Sequence, residues 1–161
     1  MNRKYLDDLN VKDRWDLWAY KGKTKNAHNN FRKVYGVDPR ETFALNETFL
    51  EWLYERLMAY KGFASKVVDL KSDVYLYDWE GEKYTQYDLI EKCLANLKEY
   101  LLYKGNSKHY IEDHFKEYTD LENIDSWDSR LTADSKIEEV LTNNAYKAAE
   151  MFIVMLPGMW W

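Results

Sequence analysis

The stretch that decides the fold is TQYDLIEKCLANLKEYLLYKG, from Thr85 to Gly105. Thr85 followed by Asp88 is a variant of the capping box, with Asp in the usual Glu or Gln position, so a helix should begin at Gln86. The apolar residues that follow recur at helical spacing and would form one face: Leu89, Ile90, Cys93, Leu94, Leu97 and Leu101. The pattern predicts an amphipathic helix from Gln86 to about Lys104, ended by Gly105.

A second strong helix is predicted upstream, in NETFLEWLYERLMAYK. Asn46 is its candidate N-cap, and the helix is expected to end before Gly62. Its predicted apolar face carries Phe49, Leu53, Leu57 and Tyr60 at helical spacing. We expect this helix to be central to the domain.

The segment between these two helices has the residue types of extended chain, in VVDL and in VYLYDW. Glu80 and Gly81 can turn YLYDW back onto EKYT as a small β-hairpin. Because two strands alone are marginally stable in water, the hairpin is expected to pack on helices.

The remaining elements are also predicted to be helical. Short helices are expected around Trp15 and Trp18, from Asn26 to Gly36, and in SKHYIEDHFKEY. The last helix should run from about Ala133 to Leu156 and stop at Pro157. Its predicted buried residues are Ile137, Leu141, Ala145, Ala148, Phe152 and Leu156. The sequence therefore predicts a mainly α fold, one compact domain over residues 1–161 with five to six helices and one short hairpin.

Composition narrows the class of protein. Aromatic residues make up 17% of the 161 residues, with seven Trp and fourteen Tyr, which is ample material for a core. The single cysteine, Cys93, lies in an apolar run and is expected to be a small buried hydrophobe in a reducing compartment. With no signal-peptide pattern and no apolar run long enough to span a bilayer, we expect a cytoplasmic protein without a membrane partner. No cofactor is expected either.

Positive charge is concentrated in KGKTKNAHNNFRK, from Lys21 to Lys33. Five cations and no carboxylate lie there, so a net charge of −5 for the chain leaves −10 for the rest. Donors near a helix N-terminus suit phosphate groups, which makes this stretch a candidate ligand site. The candidate residues are Trp18, Lys23, Lys25, Asn26, His28, Asn29 and Arg32, with Asn30 beside them.

Two other interpretations of the basic stretch stay open. It can be a solvated basic face that pairs with the protein's own carboxylates. Binding of duplex nucleic acid is disfavoured, because the acidic remainder of the chain would repel the phosphates that flank any contact.

Trp52 and Arg56 form a second candidate site. They lie four residues apart on the predicted central helix, so an indole that stacks on a base could stand beside a guanidinium that holds a phosphate. The alternative is a structural contact of the arginine on the tryptophan.

Signals of catalysis are sparse, and no catalytic or metal-binding residue is assigned. Glu47, Glu51 and Glu55 form a row at ligand spacing for Mg²⁺, as in helical nucleotide pyrophosphohydrolases, with Asp88 and Glu91 as the only tempting facing pair. A solvated helix face is the competing interpretation. His109 and His114 are five residues apart and miss the shared helical face of a metal pair.

The pattern FALNETFLEWLYERLMAYKG, from Phe43 to Gly62, a short extended piece and then YTQYDLIEKCLANLKEYL resembles a group of small tailed-phage proteins. The terminal stretch AAEMFIVMLPGMWW is similar to the C-termini of that group. The resemblance implies a phage origin and an accessory role in the infected cell, and it assigns no catalytic residues. Composition is also similar to that of phage sponges that sequester nucleotide signals.

These observations predict a non-enzymatic phage anti-defence protein that sequesters a host nucleotide signal of the cyclic or ADP-ribose type. We expect it to be a homo-oligomer in the host cytoplasm. The first alternative is an inhibitor of a host defence protein that binds through an aromatic surface near Trp160 and Trp161; otherwise these two residues should dock on their own domain or a second subunit. The second is a Mg²⁺-dependent pyrophosphohydrolase.

Overall fold

The computed structural model describes residues 4–9, 29–30, 33–34, 45–114 and 127–159. Helices make up 77% of the described residues, which confirms the mainly α prediction. The helices are α1 (Lys4–Asp8), α2 (Leu45–Ala64), α3 (Gln86–Gly105), α4 (Ser107–His114) and α5 (Trp127–Met155), followed by a 3₁₀ turn at Leu156–Gly158. Strands β1 (Tyr77–Trp79) and β2 (Glu82–Tyr84) lie between α2 and α3. Four of the helices in these ranges have eight residues or more, slightly fewer than the five or six predicted.

Helix α3 is the centre of the fold and packs against both α2 and α5. Lys61 near the end of α2 contacts Glu91 near the start of α3, and Glu47 at the start of α2 lies near Lys104 at the end of α3. The two helices are therefore antiparallel. In the contact with α5, Tyr103 donates a hydrogen bond to Asp134 at 2.8 Å, which places the start of α5 at the end of α3. The three helices run up, down and up.

The start of α3 forms as its sequence predicts. Thr85 has an extended backbone, and the Asp88 backbone N–H donates to its Oγ1 at 3.2 Å. The Thr85 hydroxyl in turn donates to Asp88 Oδ2 at 2.7 Å. All six residues of the predicted apolar face are buried, so both the capping signal and the helical period are confirmed.

Helix α2 differs from its prediction at both ends. It begins at Leu45, so Asn46 lies inside the helix, and its side-chain amide donates to the Tyr146 hydroxyl of α5 at 3.1 Å instead of capping. The helix also continues through Gly62 to Ala64, because Ala64 is fully buried and its packing outweighs the cost of a glycine in a helix.

The buried face of α2 is also rotated relative to the predicted one. Phe49 is 37% exposed, whereas its neighbour Leu50 is only 1% exposed and joins Leu53 and Leu57 in the core. Phe49 instead stacks on Trp52, with ring centroids 6.0 Å apart. Partial burial of Tyr60 agrees with the prediction that it packs towards the core.

The hairpin is confirmed, but the extended chain before it is not. Strand β1 pairs antiparallel with β2, and the turn residues Glu80 and Gly81 both have positive φ, 52° and 83°, as a tight hairpin turn requires. Residues 65–76, which include VVDL and the start of VYLYDW, form turns and bends. Here hydrogen bonds such as that from the Val68 N–H to the Ala64 carbonyl, at 2.8 Å, override the β-propensity of the valines.

Helix α5 begins at Trp127, earlier than the predicted Ala133. Leu141, Ala145 and Ala148 are buried as predicted, while Ile137 and Phe152 are partly buried. The prediction for Leu156 was wrong, because this residue is 52% exposed. The helix gives way to a 3₁₀ turn at Pro157, which changes the direction of Leu156, and Met151 and Met155 fill the core instead.

The C-terminal turn docks on the hairpin and on the start of α3. The buried side chain of Gln86 donates to the Tyr77 hydroxyl at 3.3 Å and to the Gly158 carbonyl at 3.4 Å. Met159 packs against the core. The tail is thus held by both polar and apolar contacts as far as Met159.

Some predictions fall outside the described residues. These are the helix around Trp15 and Trp18, most of the helix from Asn26 to Gly36, and the docking of Trp160 and Trp161. Among the helices that are described, none combines the length and the apolar character needed to cross a membrane.

Gly158→Ala should destabilise the protein. A methyl group at this position would overlap the Tyr77 hydroxyl, so the ring would have to move and release Gln86. We expect a loss of about 1 to 3 kcal/mol in the free energy of unfolding, measured by chemical denaturation. Gly62→Ala is the matched control, because nothing lies within 4 Å of its added methyl and helix propensity should give a gain of about 0.5 to 1 kcal/mol. Equal stability of the two variants would contradict docking of the tail.

Cys93 should be unreactive in the folded protein. Its side chain is buried and lies 3.3 Å from the Ala148 carbonyl, and burial raises the pKa of its thiol to about 12. Since the thiolate is the reactive species, alkylation at mildly alkaline pH should be at least about a hundredfold slower than in denaturant. Mass spectrometry over time measures this rate, and the destabilised Gly158→Ala variant should react faster. Rapid labelling of the native protein would show that the packing of α3 on α5 is looser than described.

Candidate functional site

A second basic stretch runs from the last turn of α2 into the loop before α3. Lys61, Lys66 and Lys71 recur every five residues, and Asp69 is the only carboxylate between Lys61 and Lys71. The loop folds around a surface groove of about 420 Å³, which we call the Tyr87 groove. Its lining residues are Ser65, Lys66, Val67, Val68, Asp69, Leu70, Lys71 and Tyr87.

The loop is fixed by one buried side chain and by hydrogen bonds to its neighbours. Leu70 is buried in the core, and its carbonyl accepts the backbone N–H of Tyr87 at 2.9 Å. The Asp69 carboxylate accepts the Lys71 N–H at 3.0 Å, which closes a local turn. Tyr87 therefore stands at the first turn of α3, directly beside the two loop lysines.

Three ammonium groups surround this part of the surface, and aromatic rings hold them. The Nζ atoms of Lys71 and Lys61 lie 4.6 and 5.2 Å from the centroid of the Tyr87 ring, and the Nζ of Lys66 lies 5.4 Å from that of Phe63. Such cation–π contacts orient a lysine without neutralising its charge.

The lysines differ in their ionic partners. Lys61 forms an ion pair with Glu91, whereas no described carboxylate lies within 4 Å of the Lys66 or Lys71 ammonium. The partial positive charge at the amino-terminal end of α3 adds to the same field. The groove thus offers two oriented positive charges beside an aromatic ring and apolar valines, an arrangement suited to an anion that also carries a non-polar part.

The residues predicted from the sequence are only partly visible. Trp18, Lys23, Lys25, Asn26, His28 and Arg32 lie outside the described residues. Asn29 and Asn30 are exposed helical residues. The proposal that this stretch binds phosphate stays a prediction.

Trp52 and Arg56 are brought together, as their spacing predicts. The Arg56 guanidinium carbon lies 5.8 Å from the Trp52 ring centroid, and Phe49 stacks on the same indole. The contact seen in the structure is thus the structural one that competes with the pocket interpretation. A ligand that stacks on Trp52 would have to displace one of these two neighbours.

The glutamate row on α2 does not face a second acidic pair. Glu47 lies 3.6 Å from Lys104 at the end of α3, whereas Asp88 caps the other end of α3 and Glu91 pairs with Lys61. Because α2 and α3 are antiparallel, Glu47 and Asp88 lie at opposite ends of the pair. Across the described ranges, no group of three or more His, Cys, Asp or Glu side chains is placed to hold a metal ion.

A cluster of titratable residues at the α3–α4 corner was missed by sequence reasoning. Its residues line a cavity of about 250 Å³ that includes His109, Tyr110, Asp113 and His114. The Tyr110 hydroxyl donates to Glu99 at 2.8 Å, and the His114 ring stacks on Tyr110 with centroids 4.3 Å apart. The two histidines thus share one cavity although they do not share one helical face.

The Tyr87 groove was also missed, although its signal was present. Lysines at positions 61, 66 and 71 alternate with Phe63 and the two valines, and a tyrosine follows at the start of the next helix. Interpretation of VVDL as a strand would have placed Lys66 and Lys71, which flank it, on opposite sides. A turn gathers them instead.

Two buried phenols should make the protein sensitive to alkali. Burial raises the pKa of Tyr103 and of Tyr110, and hydrogen bonds to Asp134 and Glu99 raise them further. The folded state therefore holds these protons more tightly than the unfolded state, so stability is complete below about pH 10 and falls as pH rises above it. In the Tyr103→Phe/Tyr110→Phe variant we expect a loss of about 1 kcal/mol per hydrogen bond near neutral pH and a shallower alkaline decline. Denaturation at a series of pH values measures both, and parallel declines for the two proteins would contradict this assignment.

Comparisons with known proteins add no assignment: no family model matches the chain, and neither a curated protein nor a solved structure similar to it was found.

Proposed function

We propose that this protein binds and sequesters a nucleotide without cleaving it, and that the phosphates lie in the Tyr87 groove. The observation that carries the proposal is the pair of groove lysines, Lys66 and Lys71, whose ammonium groups have no described carboxylate within 4 Å. These two ammonium groups lie beside a groove and an aromatic ring, where they can attract an anion despite the chain's net charge of −5.

The dimensions and the walls of the groove suit a ligand of this class. Its volume of about 420 Å³ falls within the range of small-molecule sites, roughly 300 to 1,000 Å³. Lysines give charge-assisted hydrogen bonds to phosphate oxygens. Phe63 lies two residues before the groove and is 57% exposed, so its ring offers a stacking surface for a base next to the Lys66 ammonium.

The lining residues favour binding over catalysis. The ionisable ones are Lys66, Asp69, Lys71 and Tyr87, and the Asp69 carboxylate is engaged by a backbone N–H. Ser65 is the only hydroxyl of serine or threonine type, and the lining contains no histidine to act as its base. Retention of the intact ligand is the simpler use of such a groove.

The biological setting of the proposal comes from the resemblance to small tailed-phage proteins. A phage protein that removes a cyclic or ADP-ribose-type signal would protect the phage from host defence without chemistry of its own. A homo-oligomer would help to enclose the ligand, and the basic stretch from Lys21 to Lys33 would be a further source of phosphate contacts.

Uptake of nucleotide by the purified full-length chain tests the proposal. The protein is incubated with cyclic dinucleotides and ADP-ribose derivatives, separated from free ligand, heat-denatured and analysed by chromatography. We expect release of the same nucleotide that was added. Release of an altered product would instead indicate an enzyme, and no uptake of any nucleotide would overturn the proposal.

Replacing lysines by uncharged glutamine tests whether the groove is the binding site. Lys66→Gln/Lys71→Gln should weaken binding by about 1 to 3 kcal/mol per lost charge-assisted contact, and the loss should shrink as salt is added. Lys98→Gln/Lys136→Gln is the matched control, because both lysines are exposed and lie about three turns or more from Tyr87 in the antiparallel bundle. Calorimetric titration measures affinity, and thermal melting checks the fold. Equal affinities of the two variants would move the site elsewhere, with Lys23, Lys25 and Arg32 as the next residues to replace.

A second candidate function rests on exposed apolar residues near the groove. Val67, Val74 and Tyr75 are largely exposed, and Leu76 is about half exposed. Such a group of residues suits contact with another protein, which is the alternative of a host-protein inhibitor. Failure to take up nucleotide, together with binding of a purified host defence protein that Val74→Ser/Tyr75→Ser abolishes, would favour that alternative.

A further inference from the structure

We infer that Lys61 is a specificity-determining residue of the Tyr87 groove, which favours chains of phosphates over a single phosphate, and that Glu91 limits this preference by competing with the ligand for Lys61. The inference rests on the proposed function, because it assumes that phosphate is bound beside Lys66 and Lys71. It adds Lys61 as a third lysine that contacts phosphate, and Glu91 as the carboxylate that competes with the ligand for Lys61.

The first observation is that Lys61 and Lys71 share one aromatic ring. Their Nζ atoms lie 5.2 and 4.6 Å from the Tyr87 ring centroid, so their separation cannot exceed the sum of these two distances. Under the proposed function, a single phosphate would bind at Lys71 and Lys66, which line the same groove. A chain of two or three phosphates has the length to continue past the ring towards Lys61.

The second observation is that Lys61 alone is neutralised. Its ammonium contacts Glu91 Oε1, and the two side chains are 28% and 45% exposed. The contacting Glu91 oxygen is itself shielded from water, but both side chains reach the solvent, and ion pairs between partly exposed side chains are weak enough for a multiply charged phosphate chain to displace the carboxylate. A ligand with one phosphate, bound at Lys66 and Lys71, gains no contact by displacing Glu91 from Lys61.

The third observation concerns the other carboxylates nearby, which are otherwise engaged. Asp69 accepts the Lys71 backbone N–H, and Asp88 is held in the cap of α3 by Thr85. Glu91 can rotate away from Lys61 without breaking either arrangement, because its place on α3 is fixed by the helix and not by its side chain. Removal of the Glu91 carboxylate would therefore leave the Lys61 ammonium available to a ligand.

The test measures binding of inorganic phosphate, pyrophosphate and tripolyphosphate by calorimetry to the full chain and to three variants. For the wild type, affinity should rise from phosphate to tripolyphosphate. Glu91→Gln should raise the tripolyphosphate affinity by up to about fivefold, the value of one accessible ion pair. Lys61→Gln should lower it about tenfold or more and leave phosphate binding unchanged. In Lys61→Gln/Glu91→Gln, the second substitution should have no further effect, because Glu91 acts only through Lys61.

A net-charge control and the nucleotide experiment separate the possible failures. Glu139→Gln removes one exposed negative charge from α5 and should leave all three affinities unchanged. If tripolyphosphate binds but Glu91→Gln behaves like the wild type or like Glu139→Gln, the role of Glu91 is overturned while the groove stands. If nucleotide is taken up but none of the three anions binds, the phosphate-chain inference fails alone. If neither nucleotide nor any anion binds, both proposals fall.

Discussion

The rest of the structure depends on the close approach of α3 to α5. Cys93, Ala145 and Ala148 are fully buried, and the small size of these side chains lets the Cys93 sulfur reach the Ala148 carbonyl. Larger residues of α3, such as Leu89 and Leu97, fill the space on either side, and full burial of each contributes about 1.5 to 3 kcal/mol. Because α3 also packs against α2, a disturbance of α3 would loosen both neighbours at once.

The position of the Tyr87 groove is fixed by contacts with that core. The cap that starts α3 at Gln86 fixes the direction of Tyr87, and the Tyr87 N–H reaches back to the carbonyl of Leu70, a residue that is itself buried in the core. The aromatic floor of the groove is therefore placed by rigid elements, whereas the lysines reach over it from exposed backbone. An aromatic floor placed by the core, beside lysines that cation–π contacts orient, would suit a ligand that carries phosphates.

The sequence predicts those parts of the fold in which local and tertiary preferences agree. The α3 cap, its six-residue apolar face and the turn at Glu80 and Gly81 were all predicted, since each depends on spacing or on a required φ. Prediction failed where a distant contact decided the outcome. The Asn46 side chain donates a hydrogen bond to the Tyr146 hydroxyl and does not cap its own helix. Helix α2 continues past Gly62 because Ala64 is buried in the core. The groove was missed for the same reason, because the valines indicated a strand and only the tertiary anchoring of Leu70 makes a turn there.

An acidic protein can bind a small anionic ligand because salt screens the charges that lie far from the site. At physiological ionic strength, charges more than about 8 Å apart on the surface are largely screened from each other, so a small ligand in the groove responds to the lysines beside it and much less to the total of −5. A long polyanion such as duplex nucleic acid extends well beyond that distance and meets the acidic remainder of the surface. Under the proposed function, the same distribution of charge would admit a compact phosphate-bearing molecule and repel a polymer made of similar groups, so the global acidity would be a source of selectivity and not an obstacle to binding.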